Sequence, residues 1–461
     1  MHVSRLRSPA LAAALSASLL LAACGGGGGD DDPPSERGEI LASTLAGHAT
    51  IAQIDAGTQA SGLQPLSGAA QCDVDVRYVM YVTRDPAGEP ATASAGVLVP
   101  SGDGAACQGE RPVVLYAHGT TTARSKNMAD VQTDQEASLM MAMYAAQGFI
   151  VVAPNYLGYD RSSLTWHPYL NAQAQAVDMI DGLRAAKAHL NAESAVKPSA
   201  QLLITGYSQG GHVAMATHRE IQTHYASEFT VTASGPMSGP YNLLAFGMVV
   251  NGSGPINAGA TIFTPMLLTS YQRSYGNVYG SPTEAYQSPY AATAERLFPT
   301  DTPLATLIAE GRLPADPTFT LLFGTGGLLT DSYRQDFLSN ENNGFRQGLA
   351  RNTLLGWTPT RPVAMCGGAQ DPTVFYAVNT TAMQADLNSR LPAQAAVPAF
   401  DLETRATLPA GATGDAIYGG FQARKTQAGA EVQAQYHGAL VPPFCNALIR
   451  GYFQQVLQLG L

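Results

Sequence analysis

Short apolar runs alternate with longer segments of helical periodicity along most of the chain. Apolar residues that repeat every 3.6 positions indicate helices, whereas brief apolar or alternating runs indicate strands. Predicted helices include residues 135–147, 172–190, 210–225 and 442–459. The predicted strands are residues 76–83, 93–99, 113–116, 149–152, 202–205, 231–234 and 363–365. This alternation predicts an α/β fold, a mostly parallel sheet flanked by helices, whose first two strands form an antiparallel edge.

The pattern changes in residues 241–358, where large apolar residues are set among Gly, Ser, Pro and Asn. A long segment of this kind after the sixth predicted strand indicates a mainly helical insertion in the sheet domain. We therefore expect the core to be built from two parts, residues 37–240 and 359–461, with the insertion between them.

Residues 206–210 read Gly-Tyr-Ser-Gln-Gly, between an apolar run and a helix-like stretch of small residues. In a nucleophile elbow a strand ends in a tight turn that raises the serine hydroxyl, and a helix begins directly behind it. The unpaired N–H groups at that helix N-terminus, beginning with Gln209, can stabilise the oxyanion of acyl transfer. A pentapeptide alone also fits an ordinary glycine-rich turn, but the flanking elements favour Ser208 as a nucleophile.

A site on this kind of sheet takes its residues in the order Ser, then Asp or Glu, then His. Asp371 follows a short predicted strand and is the favoured acid, although an Asp-Pro pair also commonly forms a turn. Asp401 and Asp415 are the competing acids. His437 is the favoured base, because it is the only histidine downstream of every candidate acid. Neutral His437 would take the Ser208 proton, and Asp371 would orient the imidazole.

The loop after the third predicted strand is the expected source of a second oxyanion donor. Here the strand runs into His118-Gly119-Thr120, so the donor beside Gln209 is the backbone N–H of Gly119 or of Thr120. We expect His118 to be structural. The spacing of three further histidines does not match a metal site, so we expect them to be packing or surface residues: His212, His218 and His224.

These motifs resemble the α/β-hydrolases, and within them the secretory lipases of the lipase A type. The resemblance rests on residues 116–120, 154–160, 167–169 and 206–212, and downstream on residues 367–371 and His437. It implies an α/β-hydrolase fold and a carboxylic ester hydrolase, an esterase or lipase. It also implies an acyl-enzyme intermediate and no cofactor.

An ester hydrolase of this kind would use the insertion as a lid or cap. Its helices would form the acyl-binding wall, exclude water from the acyl-enzyme and set the preferred chain length. The alternative is a helical subdomain that only packs on the sheet. Residues 156–160 and 167–169 are expected to fix loops near the mouth of the site.

Arg5 and Arg7 precede an apolar run that ends in Leu-Ala-Ala-Cys at Cys24. This pattern is typical of a signal peptide, residues 1–24, which is too short to span a membrane. The last four residues resemble a bacterial lipobox, which implies cleavage before Cys24 and lipidation of its thiol; an ordinary signal peptide is the alternative. Residues 25–36 predict a flexible linker. We expect an exported protein of the bacterial cell envelope, at the outer membrane or in the periplasm, with the extracellular space as the alternative.

The remaining four cysteines predict two disulfides, because an even number of cysteines in an exported protein usually pairs. Three pairings are possible. We favour one that brackets the N-terminal strands and one that ties the strand before Asp371 to the final helix. These are Cys72–Cys107 and Cys366–Cys445.

The composition narrows the function classes. Hydrophobic residues make up 45% of the chain, which is enough for a large core, and the net charge is −10. Nucleic acid is therefore a poor partner. The expected partners are an ester substrate and, through the lipid anchor, a membrane. The competing functions are a serine peptidase on the same fold and a non-catalytic surface binding protein. The presence of all three triad residues in order disfavours the binding protein.

Overall fold

The computed structural model describes residues 36–459. The predicted signal peptide, the predicted lipidation site at Cys24 and nearly all of the predicted linker lie outside the described residues.

A nine-stranded sheet forms the centre of the described part of the chain. Its strands are β1 (Ile40–Ala49), β2 (Asp73–Arg84), β3 (Pro90–Ser101), β4 (Glu110–Ala117), β5 (Ile150–Pro154), β6 (Lys197–Tyr207), β7 (Val231–Met237), β8 (Met365–Gly367) and β9 (Ala399–Asp401). They lie in the order β1-β2-β3-β5-β4-β6-β7-β8-β9. The first three pairs in this order, β1-β2, β2-β3 and β3-β5, are antiparallel. The remaining five pairs, from β5-β4 to β8-β9, are parallel. The predicted fold class and its antiparallel edge are confirmed.

The α-helices of residues 36–459 are α1 (Ile51–Ser61), α2 (Gln64–Ser67), α3 (Gln135–Met143), α4 (Ala172–Glu193), α5 (Gln209–His224), α6 (Leu243–Asn251), α7 (Ala260–Tyr275), α8 (Pro282–Ala285), α9 (Ser288–Ala291), α10 (Leu304–Ala309), α11 (Asp331–Ser339), α12 (Gly344–Asn352), α13 (Ala382–Asn388), α14 (Ala412–Ala428), α15 (Val432–Gln435) and α16 (Val441–Leu459). Helix α3 ends four residues before the predicted limit, and a short 3₁₀ turn follows it. That turn leads to Gly148, whose φ of +89° cannot continue a helix.

The sequence pattern did not predict two of the strands, β1 and β9, and both lie at the edges of the sheet. Strand β1 is mostly exposed, so its apolar residues do not alternate with burial; Leu45 retains 60% of its surface. Strand β9 has only three residues. Neither carries the half-buried alternation on which strand prediction depends.

Alternate residues of β4 point to opposite faces of the sheet, and both faces are covered. Val113 and Leu115 belong to a core cluster with residues of α4 and α5. Val114 and Tyr116 belong to a second cluster with residues of α3 and α16. All four are at most 1% exposed, and burying each such side chain contributes about 1.5–3 kcal/mol. The sheet is thus held between two helical layers, and its strand ends are fixed relative to each other.

Helices α6 to α12 lie between β7 and β8 and form a region that we call the cap. The cap has a hydrophobic cluster of its own, which includes the buried Tyr271, Phe337 and Leu349. Its packing therefore does not depend only on contact with the sheet.

Both favoured disulfides are present, and each has a Cα–Cα distance of 5.5 Å. Cys72–Cys107 links the segments that flank β2 and β3. Cys366–Cys445 joins β8 to α16 across 79 residues of sequence. Within residues 36–459, no helix is both long enough and apolar enough to cross a membrane.

Candidate active site

Ser208 lies in the turn between β6 and α5, with φ 59° and ψ −120°. Residues other than glycine rarely adopt such a conformation, which costs about 1–3 kcal/mol and is typical of functional turns. The Ser208 N–H donates to the carbonyl of Met237 on β7 at 3.0 Å. A Cβ on Gly210 would lie 1.8 Å from the carbonyl oxygen of Ala117, so only glycine permits this close approach. The turn therefore has the backbone geometry of a nucleophile elbow, built against the neighbouring strands.

The structure brings the side chains of Ser208, His437 and Asp371 into one chain of hydrogen bonds. His437 Nε2 lies 2.7 Å from Ser208 Oγ, and His437 Nδ1 lies 2.6 Å from Asp371 Oδ2. Because an ionised carboxylate only accepts, the Nδ1–H donates to Asp371 and the free Nε2 accepts from the serine hydroxyl. This is the tautomer that a general base needs.

Asp371 lies in the loop after β8, and its two carboxylate oxygens have separate partners. Oδ1 accepts the backbone N–H groups of Thr373 and Val374 at 2.8 and 3.0 Å, while Oδ2 accepts from His437. Asp371 thus forms the turn that an Asp-Pro sequence predicts and also orients the imidazole. The two interpretations of this residue are compatible.

Tyr207, the residue before the nucleophile, supports His437 from the side of the sheet. Its hydroxyl donates to the backbone carbonyl of His437 at 2.6 Å, and the two rings lie 5.1 Å apart. Burial, together with the charge of Asp371, raises the pKa of Tyr207 well above its ordinary value, so the hydroxyl stays a donor. The sequence motif leaves this position free, so nothing in it indicated the contact.

The predicted oxyanion donors are the backbone N–H of Gln209 and that of either Gly119 or Thr120. One of these three N–H groups already donates a hydrogen bond within the protein. The Gly119 N–H donates to Glu136 Oε1 at 2.9 Å and is not available to a substrate oxygen. The N–H groups of Thr120 and Gln209 have no hydrogen-bond partner within residues 36–459. Of the two alternatives in this loop, Gly119 is therefore the less suitable donor and Thr120 the more suitable one.

Glu136 holds the loop that carries Thr120, and it was not identified from the sequence. Its Oε1 accepts from the Tyr116 hydroxyl at 2.8 Å as well as from Gly119, and Lys126 Nζ lies 3.4 Å from its Oε2. The carboxylate therefore orients the His118–Gly119 peptide unit, which directly precedes the unit that carries the Thr120 N–H. Its contacts join three separate segments, so no local sequence pattern could have indicated them.

The side chain of Gln209 is anchored by a buried histidine. Gln209 Nε2 donates to His167 Nε2 at 2.7 Å, and His167 Nδ1 donates to the carbonyl of Leu157 at 2.7 Å. Burial lowers the pKa of His167 to about 3, so the ring stays neutral and Nε2 stays an acceptor. The motif at residues 167–169 thus fixes a residue of the elbow as well as a loop.

The two competing acids lie in other contacts. Asp401 accepts from the N–H of Ala369 at 2.9 Å and from the Thr404 hydroxyl at 2.7 Å. Asp415 pairs with Arg405 at 2.7 Å. Asp401 thereby organises the loop that leads to Asp371, but of the three candidate acids only Asp371 accepts from His437.

The remaining histidines considered from the sequence have structural contacts. His118 is buried and stacks on Tyr156 with ring centroids 4.0 Å apart. His212 Nε2 donates to the Asn352 carbonyl at 2.9 Å, and His218 Nδ1 lies 2.8 Å from Ser234 Oγ. His224 is exposed near the end of α5. Within residues 36–459, no cluster of three or more His, Cys, Asp or Glu side chains could hold a metal ion.

Ser208 lies between two cavities. The first, which we call the inner cavity, has a volume of about 80 Å³ and is walled mainly by the cap. The second, which we call the outer cleft, has a volume of about 730 Å³ and is lined by residues from the loop after β4, from α3 and from the segment around His437. Ser208 therefore contributes to the walls of both cavities.

Comparisons with known proteins identify proteins that are similar to this chain. A sequence profile described as secretory lipase matches residues 123–265. The ligand-bound crystal structure of the rice cell wall degrading esterase LipA from Xanthomonas oryzae is 30% identical, with a TM-score of 0.75 over 91% of this chain and 99% of that chain. No curated protein sequence matched the chain.

Two more distant structures share the fold. A putative hydrolase from Legionella pneumophila is 20% identical, with a TM-score of 0.68 over 90% of this chain and 98% of that chain. Lipase A from Candida antarctica is 12% identical, with a TM-score of 0.54 over 79% of this chain and 76% of that chain. At these identities the likeness concerns the architecture alone.

Proposed function

Because the chain belongs to the secretory lipase family of α/β-hydrolases, we propose that it is a serine carboxylic ester hydrolase that forms an acyl-enzyme on Ser208. One observation carries the proposal. The side chains of Ser208, His437 and Asp371 form a continuous hydrogen-bonded chain, with distances of 2.7 and 2.6 Å. Such a chain is the arrangement that activates a serine hydroxyl for attack on a carbonyl carbon.

In the first half of the reaction His437 Nε2 takes the proton of Ser208 Oγ as the oxygen attacks the ester carbon. The negative charge of the tetrahedral intermediate is stabilised by the backbone N–H groups of Gln209 and Thr120, whose lack of protein partners supports this role. Asp371 stabilises the imidazolium and keeps its orientation. His437 then donates the proton to the departing alcohol oxygen, and the acyl group remains on Ser208.

In the second half a water molecule takes the place of the alcohol. His437 accepts a proton from this water, the hydroxide attacks the acyl carbon, and the proton returns to Ser208 Oγ as the carboxylic acid departs. Every proton in the cycle passes through His437, so no cofactor is needed for the balance of the reaction.

The proposal is tested by hydrolysis of p-nitrophenyl esters by the purified protein and by its Ser208→Ala variant. We expect turnover by the wild-type protein and a loss of about ten-thousand-fold or more in kcat in the variant. Thermal unfolding of both proteins checks that the variant is folded. A wild-type protein inert on all esters, or an active Ser208→Ala variant, would overturn the proposal and bring back the peptidase or binding-protein alternatives.

We further propose that the protein is exported and tethered to the bacterial cell envelope by a lipid on Cys24. The signal-like segment and the lipobox-like residues before Cys24 support this, and so do the two disulfides, which persist in oxidising compartments. Metabolic labelling with an alkyne fatty acid should mark the wild-type protein and not a Cys24→Ser variant. Equal labelling of both would contradict lipidation at Cys24.

A further inference from the structure

The inner cavity and the outer cleft differ in the character of their walls. The inner cavity is lined mostly by apolar side chains of the cap: Leu243, Phe246, Leu267, Leu322, Phe345 and Leu349. The outer cleft has a mixed wall, in which apolar residues such as Leu63, Leu139 and Phe444 stand beside charged residues and four exposed, uncharged polar ones: Gln132, Thr133, Gln135 and Gln435. The outer cleft is also about nine times larger in volume. The two sides of Ser208 are therefore suited to different chemical groups.

Among the described residues, only Ser208 and Phe263 line both cavities. Of the two oxyanion donors, Gln209 lines the inner cavity and Thr120 lines the outer cleft. The carbonyl carbon of a bound ester must lie between these donors and within reach of Ser208 Oγ. It therefore lies at the junction, with the Phe263 ring beside it.

The position of His437 decides which half of the ester occupies each side. His437 lines the outer cleft and not the inner cavity. When the bond between Ser208 Oγ and the acyl carbon forms, the bond from that carbon to the alcohol oxygen breaks, and this oxygen takes the proton from His437 Nε2. A general acid must lie within hydrogen-bond reach of the atom it protonates. The alcohol oxygen consequently faces the outer cleft, and the acyl chain points into the inner cavity.

We propose that Phe263 divides the substrate site into these two compartments and thereby restricts the acyl group but not the alcohol. This inference rests on the proposed serine mechanism. It assigns as substrates the esters of an apolar acyl group of limited length with a bulky alcohol, which the larger and mixed wall of the outer cleft accommodates.

The structure shows how the ring of Phe263 is held at the junction. Phe263 lies in the first turn of α7, and its N–H donates to the carbonyl of Gly259 at 3.0 Å. Gly259 has a φ of +86°, and a Cβ at this position would lie 2.6 Å from two atoms of the Phe263 ring. The ring therefore packs directly on the glycine that begins the helix, and no larger residue fits there without displacing it.

The test uses two series of esters with the wild-type protein and with Phe263→Ala, Phe263→Trp and Phe323→Ala variants. One series keeps p-nitrophenol and lengthens the acyl chain from acetyl to decanoyl. The other keeps acetyl and enlarges the alcohol from ethanol to glycerol to methyl glucoside. Phe323→Ala is a matched control, since Phe323 belongs to the cap and lines neither cavity.

For the wild-type protein we expect kcat/KM to fall along the acyl series once the inner cavity is filled, and not to fall along the alcohol series. Phe263→Ala joins the two compartments. The ratio of its kcat/KM on the longest acyl chains to its kcat/KM on acetate should therefore be about tenfold higher than the same ratio for the wild-type protein. Phe263→Trp and Phe323→Ala should keep the wild-type profile. Thermal unfolding midpoints close to that of the wild-type protein show that the variants are folded, and each acyl profile is normalised to the same variant's own rate on p-nitrophenyl acetate.

A Phe263→Ala variant with the wild-type acyl profile would overturn the division, and so would a wild-type protein that tolerates long acyl chains but rejects bulky alcohols. Labelling of Ser208 by diethyl p-nitrophenyl phosphate separates this failure from failure of the serine mechanism. A labelled Ser208 with an unchanged profile contradicts only the division. No labelling, together with no hydrolysis, contradicts the proposed function itself.

Discussion

The sheet core and the cap contribute different things to the site. The core supplies the elbow, the loop of Asp371 and the turn of His437, and it contains both disulfides and all of the buried histidines. The cap, from Leu243 to Asn352, contains neither histidine nor cysteine and supplies most of the inner cavity wall. The candidate catalytic side chains thus lie in the core, where the sheet fixes their positions. The apolar wall of the inner cavity lies mostly in the cap, whose helices can change without altering the sheet. The comparison predicts that changes in the core alter rate and stability, whereas changes in the cap alter substrate choice.

The largest effect is expected at the acid. Asp371→Asn should lower kcat by about ten-thousand-fold, because the amide favours the wrong imidazole tautomer while the geometry is kept. Steady-state hydrolysis of p-nitrophenyl acetate measures this, with Asp401→Asn as the matched control. If Asp401→Asn lost as much activity as Asp371→Asn while remaining folded, the acid would have been assigned to the wrong residue.

Removal of the Cys366–Cys445 disulfide should destabilise the core without changing substrate choice. A Cys366→Ala/Cys445→Ala variant should lose about 2–4 kcal/mol in the free energy of unfolding, because the 79-residue separation leaves a long loop free in the unfolded chain. Chemical denaturation provides the measurement. A changed acyl-length profile in the folded variant would break the division between core and cap.

Glu136 should act on rate by holding the His118–Gly119 peptide unit, which positions the Thr120 N–H that follows it. Glu136→Ala should lower kcat about tenfold to hundredfold with little change in KM, because a displaced oxyanion donor weakens only transition-state binding. Glu136→Gln should recover much of the loss, since its amide oxygen can still accept from Gly119. A variant that changes KM alone would show that Glu136 belongs to substrate binding instead.

The core should also be the part that is sensitive to acid. Burial lowers the pKa of His167 and of His218 to about 3 and that of His212 to about 4. Their folded pKa values lie below the unfolded value, so the unfolded chain binds protons first and stability falls as pH decreases from about 6.5 towards 4. Asp178 acts in the opposite direction, because burial raises its pKa to about 7 and its neutral form favours folding as pH falls.

His218→Gln isolates one of these contributions. The variant should reduce the slope of unfolding free energy against pH by about 1.4 kcal/mol per pH unit below pH 6, which corresponds to one proton. Denaturation at several pH values measures the slope. An unchanged slope would mean that His218 is not kept neutral in the folded protein.

The comparison of core and cap also explains what the sequence could predict. Ser208, Asp371 and His437 follow predicted elements in a fixed order, and the structure brings their side chains together; their catalytic roles stay predictions. Strand β1 was missed because its apolar residues are exposed. Glu136 and Phe263 were missed because their roles depend on contacts between segments distant in sequence, for which no local periodicity exists.

The most direct test of the account is a search for the covalent intermediate. The purified protein is mixed with p-nitrophenyl butyrate, quenched with acid within the first turnovers, digested and analysed by mass spectrometry. We expect a butyryl group on the peptide that contains Ser208, and none in a Ser208→Ala variant. An enzyme that hydrolyses the ester without an acylated Ser208, or with the acyl group on another residue, would contradict it.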